Sequence, residues 1–539
     1  MKEFCSGAPR CGGTPKVAAG LAALLLSSAA CSPGDDVDGV ERRESHVADV
    51  FDSIRTQAGT FEDFLLLMPK GGDLHSHTSG AIVTEKLIQW GSEDGACVNT
   101  TTFAASNPCA ANTVPLSSAP PGSALYNQVL GAWSMEGFGG PLLAAHQHFF
   151  DTFGKFGAIQ INDRNDDSYA NVMSAAGRNN QIYIELLQGF GSGAGAAIAN
   201  TVFQPTDAWD QTTLLARRQQ IIAHPNFAPA IAAQAASIAA TFSGARQLLG
   251  CATSSPDPGC NVEVRLQVAA NRTGTRVAVF GQWVFAYELA QVVPEMVGVN
   301  LVSPEEHPNS LQFYNDEMFA LGVLGDANRG VVGRNPVHVS LHAGELIPSV
   351  VPDPSHLTFH IRRAVDVAKA ERIGHGVDVL GETDGDGAAA LLRKMSDDHV
   401  MVEICLTSNR VLLDAAGDDH PLARYRQDKV PVALATDDQG IFRGDITDEY
   451  VAAVVDQGLG YRELKEMARA SLEHAFAQGE SLWKERDKFK RTVDACHHDE
   501  LGSATPSMGC SSFLADNKRA ALQWKLERQF ADFEVKTLR

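Results

Sequence analysis

The chain is short of positive charge: 44 Lys and Arg stand against 65 Asp and Glu, a formal net charge of −21. The basic residues form no stripe, so the surface repels phosphate backbones and nucleic acid is excluded as a partner. Past residue 30 no apolar run reaches the ~18 residues that a membrane-spanning helix needs. No CxxC pair occurs, which argues against a structural zinc held by cysteine. No internal repeat is found, which excludes a repeat array. What is present is the balance of an ordinary soluble globular protein, 44% hydrophobic and 20% charged. A core of that size does not depend on disulfides or a metal to hold together.

The first residues read as a targeting segment. Lys2, Arg10 and Lys16 precede an apolar run from Val17 to Ala30, too short to span a bilayer and suited to a signal-peptide core. Residues 1–30 are therefore expected to be a signal peptide. The small residues before Cys31 predict a lipid anchor on that cysteine, with ordinary secretion as the alternative. Either way the protein is expected to be exported, to the periplasm, the cell envelope or the medium. Cysteine usage agrees: Cys97 with Cys109, Cys251 with Cys260, and Cys496 with Cys510 are local pairs in Gly-, Pro-, Ser- or Asn-rich sequence, where a disulfide would close a short loop. Cys405 lies in an apolar run and is expected to be a buried free thiol.

Residues 31–67 are expected to form an acidic tether, Ser32 to Val40, and a helical extension, Ser45 to Leu67, broken near Gly59. From Gly71 the pattern changes to short apolar runs separated by helical segments. Eight strands are predicted: Gly71 to His77, Gln181 to Gln188, Val262 to Ala270, Met296 to Val302, Val337 to His342, Arg372 to Val377, Val400 to Leu406 and Val430 to Thr436. Near-continuous apolar strands alternating with helices imply a parallel α/β fold, and eight units predict a (β/α)8 TIM barrel over residues 68–490. Gly95 to Gly122 and Gly189 to Gln211 read as irregular insertions. Ser471 to Lys490 is expected to be a helix closing the barrel. Residues 491–539 are expected to be a loop and a terminal helix, Leu514 to Phe533, packed on it.

Unusual polar residues fall at the C-terminal ends of these strands: His75 and His77, His342 and Glu345, His375, Asp437 and Asp438. On a barrel these ends meet at one face, where active sites are built. His75 and His77, at i and i+2 on a strand, point the same way. With His342 and Asp437 they would offer a divalent cation nitrogen and oxygen ligands while leaving room for water, as a catalytic zinc requires. Each residue has a plainer reading: His375 as a core histidine, Asp437–Asp438 as a helix N-cap, Glu345 as a first-turn acid. His146 and His148 sit in a predicted helix, where i and i+2 do not share a face. His420, His497 and His498 read as surface or turn residues. Phe149, Phe150, Phe153 and Phe156 have helical spacing and read as core.

The segments MPKGGDLHSHTSGAI (Met68 to Ile82), SLHAGE (Ser340 to Glu345), RIGHG (Arg372 to Gly376), EICLTSN (Glu403 to Asn409) and LATDDQ (Leu434 to Gln439) resemble the adenosine deaminase family, more closely its extracellular, growth-factor-related branch. The resemblance implies one zinc ion per chain on His75, His77, His342 and Asp437. It implies that Glu345 protonates purine N1, that His375 orients and helps deprotonate the attacking water, that Asp438 holds N7, and that the Gly298 backbone N–H meets N3. The family usually has an acid after the second histidine, for the ribose; here Thr78 and Ser79 stand there, able to exchange single hydrogen bonds. Asn300 stands where Asp is common. The expected activity is hydrolytic deamination of adenosine or 2′-deoxyadenosine to the inosine product and ammonia. The alternatives are the same chemistry on adenine or a modified purine nucleoside, or a non-catalytic nucleoside-binding surface protein. A homodimer through the helical extension is a further expectation of the resemblance.

Overall fold

In the computed structural model, residues 35–57, 59–160 and 164–538 are described, residues 35–41 by backbone alone. The expected signal peptide and the expected lipid-bearing Cys31 lie outside the described residues. Eight strands run in one parallel sheet in chain order: β1 (Gly71–His77), β2 (Gln181–Gln188), β3 (Glu263–Asn271), β4 (Met296–Val302), β5 (His338–Ala343), β6 (Arg372–His375), β7 (Met401–Ile404) and β8 (Val432–Leu434). A parallel bridge between Ser76 and Asp437 joins the first strand to the residue run after the last and brings the ring nearly to closure. Helices flank the strands throughout, so this is the expected TIM barrel.

The strands form because their outward residues are large, branched and fully covered by helices: Ile184, Leu186, Leu266, Val268, Val299, Leu341, Ile373 and Val402 are all buried. Inside the barrel the pattern differs. Glu185, Gln267, Ser340, Arg372 and Glu403 point inward at zero exposure. Buried charges must be paired, and these pair with one another. Arg372 donates from Nη2 to Glu185 Oε2 (2.5 Å) and from Nε to Glu403 Oε1 (2.7 Å), and Gln267 Nε2 donates to Glu185 Oε2 (2.8 Å). The Phe476 ring lies 3.7 Å under the Arg372 guanidinium.

Several elements depart from the sequence reading. Helix Asp35–Ile54 covers most of the stretch expected to be a tether; its downstream half buries Val47 and Phe51, and that packing carries the helix past Gly39. Gly59, at φ 86°, separates it from helix Thr60–Leu67, as expected. Much of the apolar face of this extension is covered within the chain, Phe64 lying tilted against Phe51 and edge-on to Phe533, while Leu66 and Leu67 are exposed. The Gly189 to Gln211 insertion contains helix Gly193–Val202, packed on Arg276–Leu289 through Gly195 and Gly281. Gly95 to Gly122 carries a three-stranded antiparallel sheet stapled by Cys97–Cys109. The closing helix is Tyr461–Glu473, not Ser471 to Lys490: Gly479, at φ 93°, and the polar run around it leave no apolar period after His474. The terminal helix is two helices, Met508–Asp516 and Lys518–Thr537, split at the extended residue Asn517. Disulfides join Cys97–Cys109, Cys251–Cys260 and Cys496–Cys510, and Cys405 is free and buried. Among the described residues no helix is long and apolar enough to cross a membrane.

Candidate active site at the C-terminal rim

Barrel closure is itself what assembles the site. The His77 amide donates to the Asp437 carbonyl (3.1 Å) and the Asp437 amide to the His75 carbonyl (2.9 Å), so residues 360 positions apart share one ladder. Asp437 at φ 57° and His375 at φ 67° are non-glycine residues in the left-handed region, a strain that ordered surroundings must enforce. Ligand atoms of His75, His77, His342 and Asp437 all lie within 4.8 Å of one another. His75 Nε2 and His77 Nε2 are 3.6 and 3.3 Å from Asp437 Oδ1, and His77 Nε2 is 3.1 Å from His342 Nε2.

Surrounding groups set the tautomers. His75 Nδ1 donates to Glu403 Oε2 (2.7 Å), leaving Nε2, buried and without a hydrogen-bond partner, to face the cluster. His342 Nδ1 is 2.8 Å from Asn300 Oδ1, which also accepts from the amides of Leu301 and His342. That atom is therefore an oxygen, His342 Nδ1 carries the proton, and Nε2 faces the cluster bare. Two imidazole Nε2 atoms so close, one of them bare, need a proton or a cation between them. Burial opposes charge on His75, but the carboxylates of Asp437 and Glu403 outweigh it and raise its pKa to about 10, so Nε2 is a strong base that takes either a proton or, in its place, a cation. Burial and the neighbouring histidines hold His342 well below the usual range. Burial works against ionising Asp437, yet hydrogen bonds from His75 and His77 keep its carboxyl well below the usual value. Lone-pair nitrogens around an ionised carboxylate form a donor set for a borderline divalent cation such as zinc, and the residues present fit one. Glu403 and Asn300 are the carboxylate and carbonyl partners that orient such ligands.

Around this cluster stand the acids. Glu345 Oε1 is 3.7 Å from His375 Nε2. Burial, then the charges of Asp437 and Glu305, raise the Glu345 carboxyl well above its usual value. Its backbone is fixed by Glu305, which accepts from the amides of Gly344 (3.2 Å) and Glu345 (2.9 Å) and is itself gripped by His360 Nδ1 (2.6 Å). Asp438 is buried with Oδ1 unpartnered, and burial plus the Asp437 charge raise its pKa well above the usual value. It makes no cap bond to the helix Gln439–Phe442, so the N-cap reading fails. Gly80 makes room for it: a Cβ there would sit 1.7 Å from Asp438 Oδ1.

His375 is fully buried, and burial lowers its pKa to about 3, so it is neutral. Its tautomer can be traced. The Leu422 amide donates to His420 Nδ1 (3.1 Å), so His420 carries its proton on Nε2 and donates to Asn409 Oδ1 (3.0 Å). Asn409 then donates from Nδ2 to His375 Nδ1 (3.0 Å), which places the His375 proton on Nε2, facing Glu345. That is a hydrogen-bond donor, where the sequence reading expected help in deprotonation. His420 is 2% exposed, so it is not a surface residue, although its backbone does lie in a turn, its amide donating to the Gly417 carbonyl.

Gly298 is not at the rim. It lies early in β4, paired with His338 at the start of β5, four residues before His342, and Phe476 packs against it. At about 3.3 Å per residue that is roughly 13 Å along the strand, and the expected contact with N3 is not available there. Ser303, at φ 81° just past β4, is the left-handed residue on the rim side. Thr78 is buried with its hydroxyl unpartnered, and the Ser79 carbonyl accepts from Gln160 (2.6 Å). Glu403, Asn300, Glu305, Asn409 and His420 were missed from sequence. The available signal was an acid or amide inside an apolar strand or beside a motif, since such a group needs a buried partner.

The adenosine deaminase family model matches residues 209–492. The chain is 31% identical over 185 residues to the adenine deaminase of Sinorhizobium medicae (strain WSM419), covering 34% of this chain and 48% of that protein. It is 29% identical over 161 residues to the adenosine deaminase of Plasmodium gallinaceum, covering 30% and 40%. These alignments span half or less of each relative's length. Among solved structures, that of the Arabidopsis N6-mAMP deaminase aligns with a TM-score of 0.47 at 20% identity, over 77% of this chain and 96% of that one. With more than half of its length matched by that one family model, the chain belongs to the adenosine deaminase family.

Proposed function

We propose that the protein is a zinc-dependent hydrolase that removes the 6-amino group of a purine, with adenosine or 2′-deoxyadenosine as substrate and the inosine product and ammonia released. The observation that carries this reading is the set of buried valences aimed at one space: His75 Nε2, His375 Nε2 and Asp438 Oδ1 all lack partners. His75, His77, His342 and Asp437 would hold the ion, which supplies a Lewis-acid centre that lowers the pKa of water to about 7. Purine N1 and N7 are acceptors, so whatever meets them must bring a proton. Glu345 and Asp438, both raised by burial, bring one each. Glu345 gives its proton to N1 as the water oxygen adds at C6, which spares the ring a negative charge. His375 holds the attacking water through Nε2–H. Ionised Glu345 is then the group placed to take the water's remaining proton and return it to the departing amine.

The relatives' names point to adenine and adenosine as substrates, and adenine is the alternative that needs only the ring-facing residues. Export belongs to the same reading and is supported by three disulfides, which form in oxidising compartments. The test is purified, zinc-loaded protein with adenosine, 2′-deoxyadenosine and adenine, following ultraviolet absorbance and ammonia. Loss of the adenosine band with stoichiometric ammonia is expected. Metal-loaded protein that leaves all three untouched would overturn the reading.

A further inference from the structure

Thr78 and Ser79 leave the sugar without a carboxylate in the first rim loop, which raises the question of what else borders the mouth. Helix Leu142–Gln160 crosses it. On one side Phe149 stacks on Phe442 (4.9 Å, interplanar angle 12°), four residues past Asp438 at the end of β8. On the other, His146 Nε2 lies 3.7 Å from Glu306 Oε1, just past β4. In an eight-stranded ring, strands four apart stand opposite each other, so a helix touching both lies over the opening. Glu306 directly follows Glu305, whose carboxylate holds the Gly344 and Glu345 amides, so it stands at the rim beside the site. The His146 and Glu306 side chains are 13% and 19% exposed, enough for a ligand to reach.

The separation is informative. At 3.7 Å the two atoms are too far apart for a hydrogen bond to each other. A hydroxyl oxygen at about 2.8 Å from each would accept from His146 Nε2–H and donate to Glu306. Cations carried by the rim segments are occupied: Arg410 with Asp456, Arg443 with Glu85 and Glu136, and Lys155 with the Ala132 carbonyl. Arg272 is fully buried beneath the rim, its Nη2 donating to the Leu301 and His342 carbonyls. An acidic mouth whose cations are engaged suits a neutral, hydroxylated ligand and repels a phosphate.

We infer that His146 and Glu306 form a two-sided clamp on a sugar hydroxyl, making the substrate a neutral purine nucleoside in preference to a free base or a nucleotide. This rests on the deaminase reading above. The clamp comes from a helix that the sequence reading set aside, because His146 and His148 do not share a face. The structure separates them: His148 bonds the Gly131 and Ser134 carbonyls (3.1 and 2.9 Å) and is used up inside the chain.

The test compares adenosine, its 2′-, 3′- and 5′-deoxy forms, adenine and AMP on the zinc-loaded wild type and on His146→Ala, Glu306→Gln and His148→Ala, with melting temperatures for all. For the wild type, adenosine should be the best of adenosine, adenine and AMP, and one deoxy form should lose about tenfold in kcat/KM, the worth of one hydrogen bond to a charged group. In His146→Ala and Glu306→Gln the loss on adenosine, seated in KM, should exceed the loss on adenine about tenfold, and the sensitive deoxy form should lose no further. His148→Ala disturbs the same helix without the clamp and should lower adenosine and adenine alike. The inference is overturned if AMP or adenine matches adenosine on the wild type, or if His146→Ala and Glu306→Gln lower all substrates in one proportion, as His148→Ala does. Turnover of no purine at all would overturn the deaminase reading along with it.

Discussion

Two sets of buried charged groups share this barrel and behave differently. On the axis, Glu185, Arg372 and Glu403 are closed on themselves: the donors of Arg372 reach both carboxylates and the His474 carbonyl, and Glu185 also accepts from Tyr183, Gln267 and the Phe476 amide. At the rim, a few residues away, equally buried groups are left open, with unpartnered atoms on His75, His375 and Asp438. A fold tolerates buried charge when every valence is met. Where valences point together into one space and stay unmet, the missing partner is a ligand. Burial alone therefore does not mark the site, and neither does one unmet valence, since both Glu317 oxygens are also buried without partners; several unmet valences gathered beside a metal-ligand cluster do.

The sharpest way to break this contrast is Glu345→Gln at the rim. The amide keeps the shape but cannot give a proton to N1, so turnover should fall about 10⁴-fold, the upper end for general acid catalysis. Zinc content and melting temperature should stay near wild type, because no axial partner is lost. Metal analysis beside steady-state rates reads both. A variant that retains turnover would remove Glu345 from the chemistry.

The converse change is on the axis. Arg372→Met strips the positive partner from Glu185 and Glu403, leaving buried carboxylates unpaired, and should destabilise the fold by about 3–5 kcal/mol. Denaturant unfolding measures this. A stability loss under about 1 kcal/mol would mean the axial charges are solvated, and the distinction between closed and open sets would collapse.

His420 sharpens the boundary between the sets. It lies behind His375 but has both ring nitrogens engaged, by Leu422 and Asn409, so it counts with the closed groups. Burial lowers its pKa from 6.5 to about 4. The unfolded chain takes the proton first as pH falls, so this contribution to stability is complete above pH 6.5 and is lost on descending toward pH 4. The loss approaches about 3 kcal/mol at 1.36 kcal/mol per unit. Unfolding of the metal-free protein at pH 7 and pH 4, compared with His420→Gln, should show a shallower acid loss in the variant. Equal slopes would place His420 outside the buried relay.

The strands were legible because a fully covered parallel strand has to be apolar on its outer face, and the candidate metal-ligand cluster because polar residues recur at strand ends. Gly80, beside Asp438, sits inside a motif that could be read. What stayed hidden was set by tertiary pairing. Glu185 in IYIELL and Glu403 in VMVEICL interrupt apolar runs, which signals a buried partner without saying which. Helix ends in the C-terminal region slipped because Gly479 and Asn517, not the apolar period, decide where chains turn. Gly298 was misplaced by carrying a backbone role along a strand, where four residues separate one face of a barrel from the other. His420 looked like a turn residue before a proline; only the fold brings Asn409 against it.

Glu403 is the one residue in both sets, and it gives the smallest and most discriminating test. Its Oε1 accepts from Ser340 and Arg372, and its Oε2 from His75 Nδ1, the bond that turns His75 Nε2 toward the cluster. Burial opposes its ionisation, but Arg372 and then His75 overcome that and bring its pKa down to about 2. Glu403→Gln keeps the shape and one acceptor while removing the charge that makes His75 a strong donor. Zinc affinity should fall about 10–100-fold, as for other partners of metal-binding histidines. Arg372 retains Glu185, so the metal-free variant should melt near the metal-free wild type. Competition with a chelator gives the first quantity and calorimetry the second. If melting temperature fell while zinc affinity held, Glu403 would belong to the axis alone, and the orientation of His75 would need another cause.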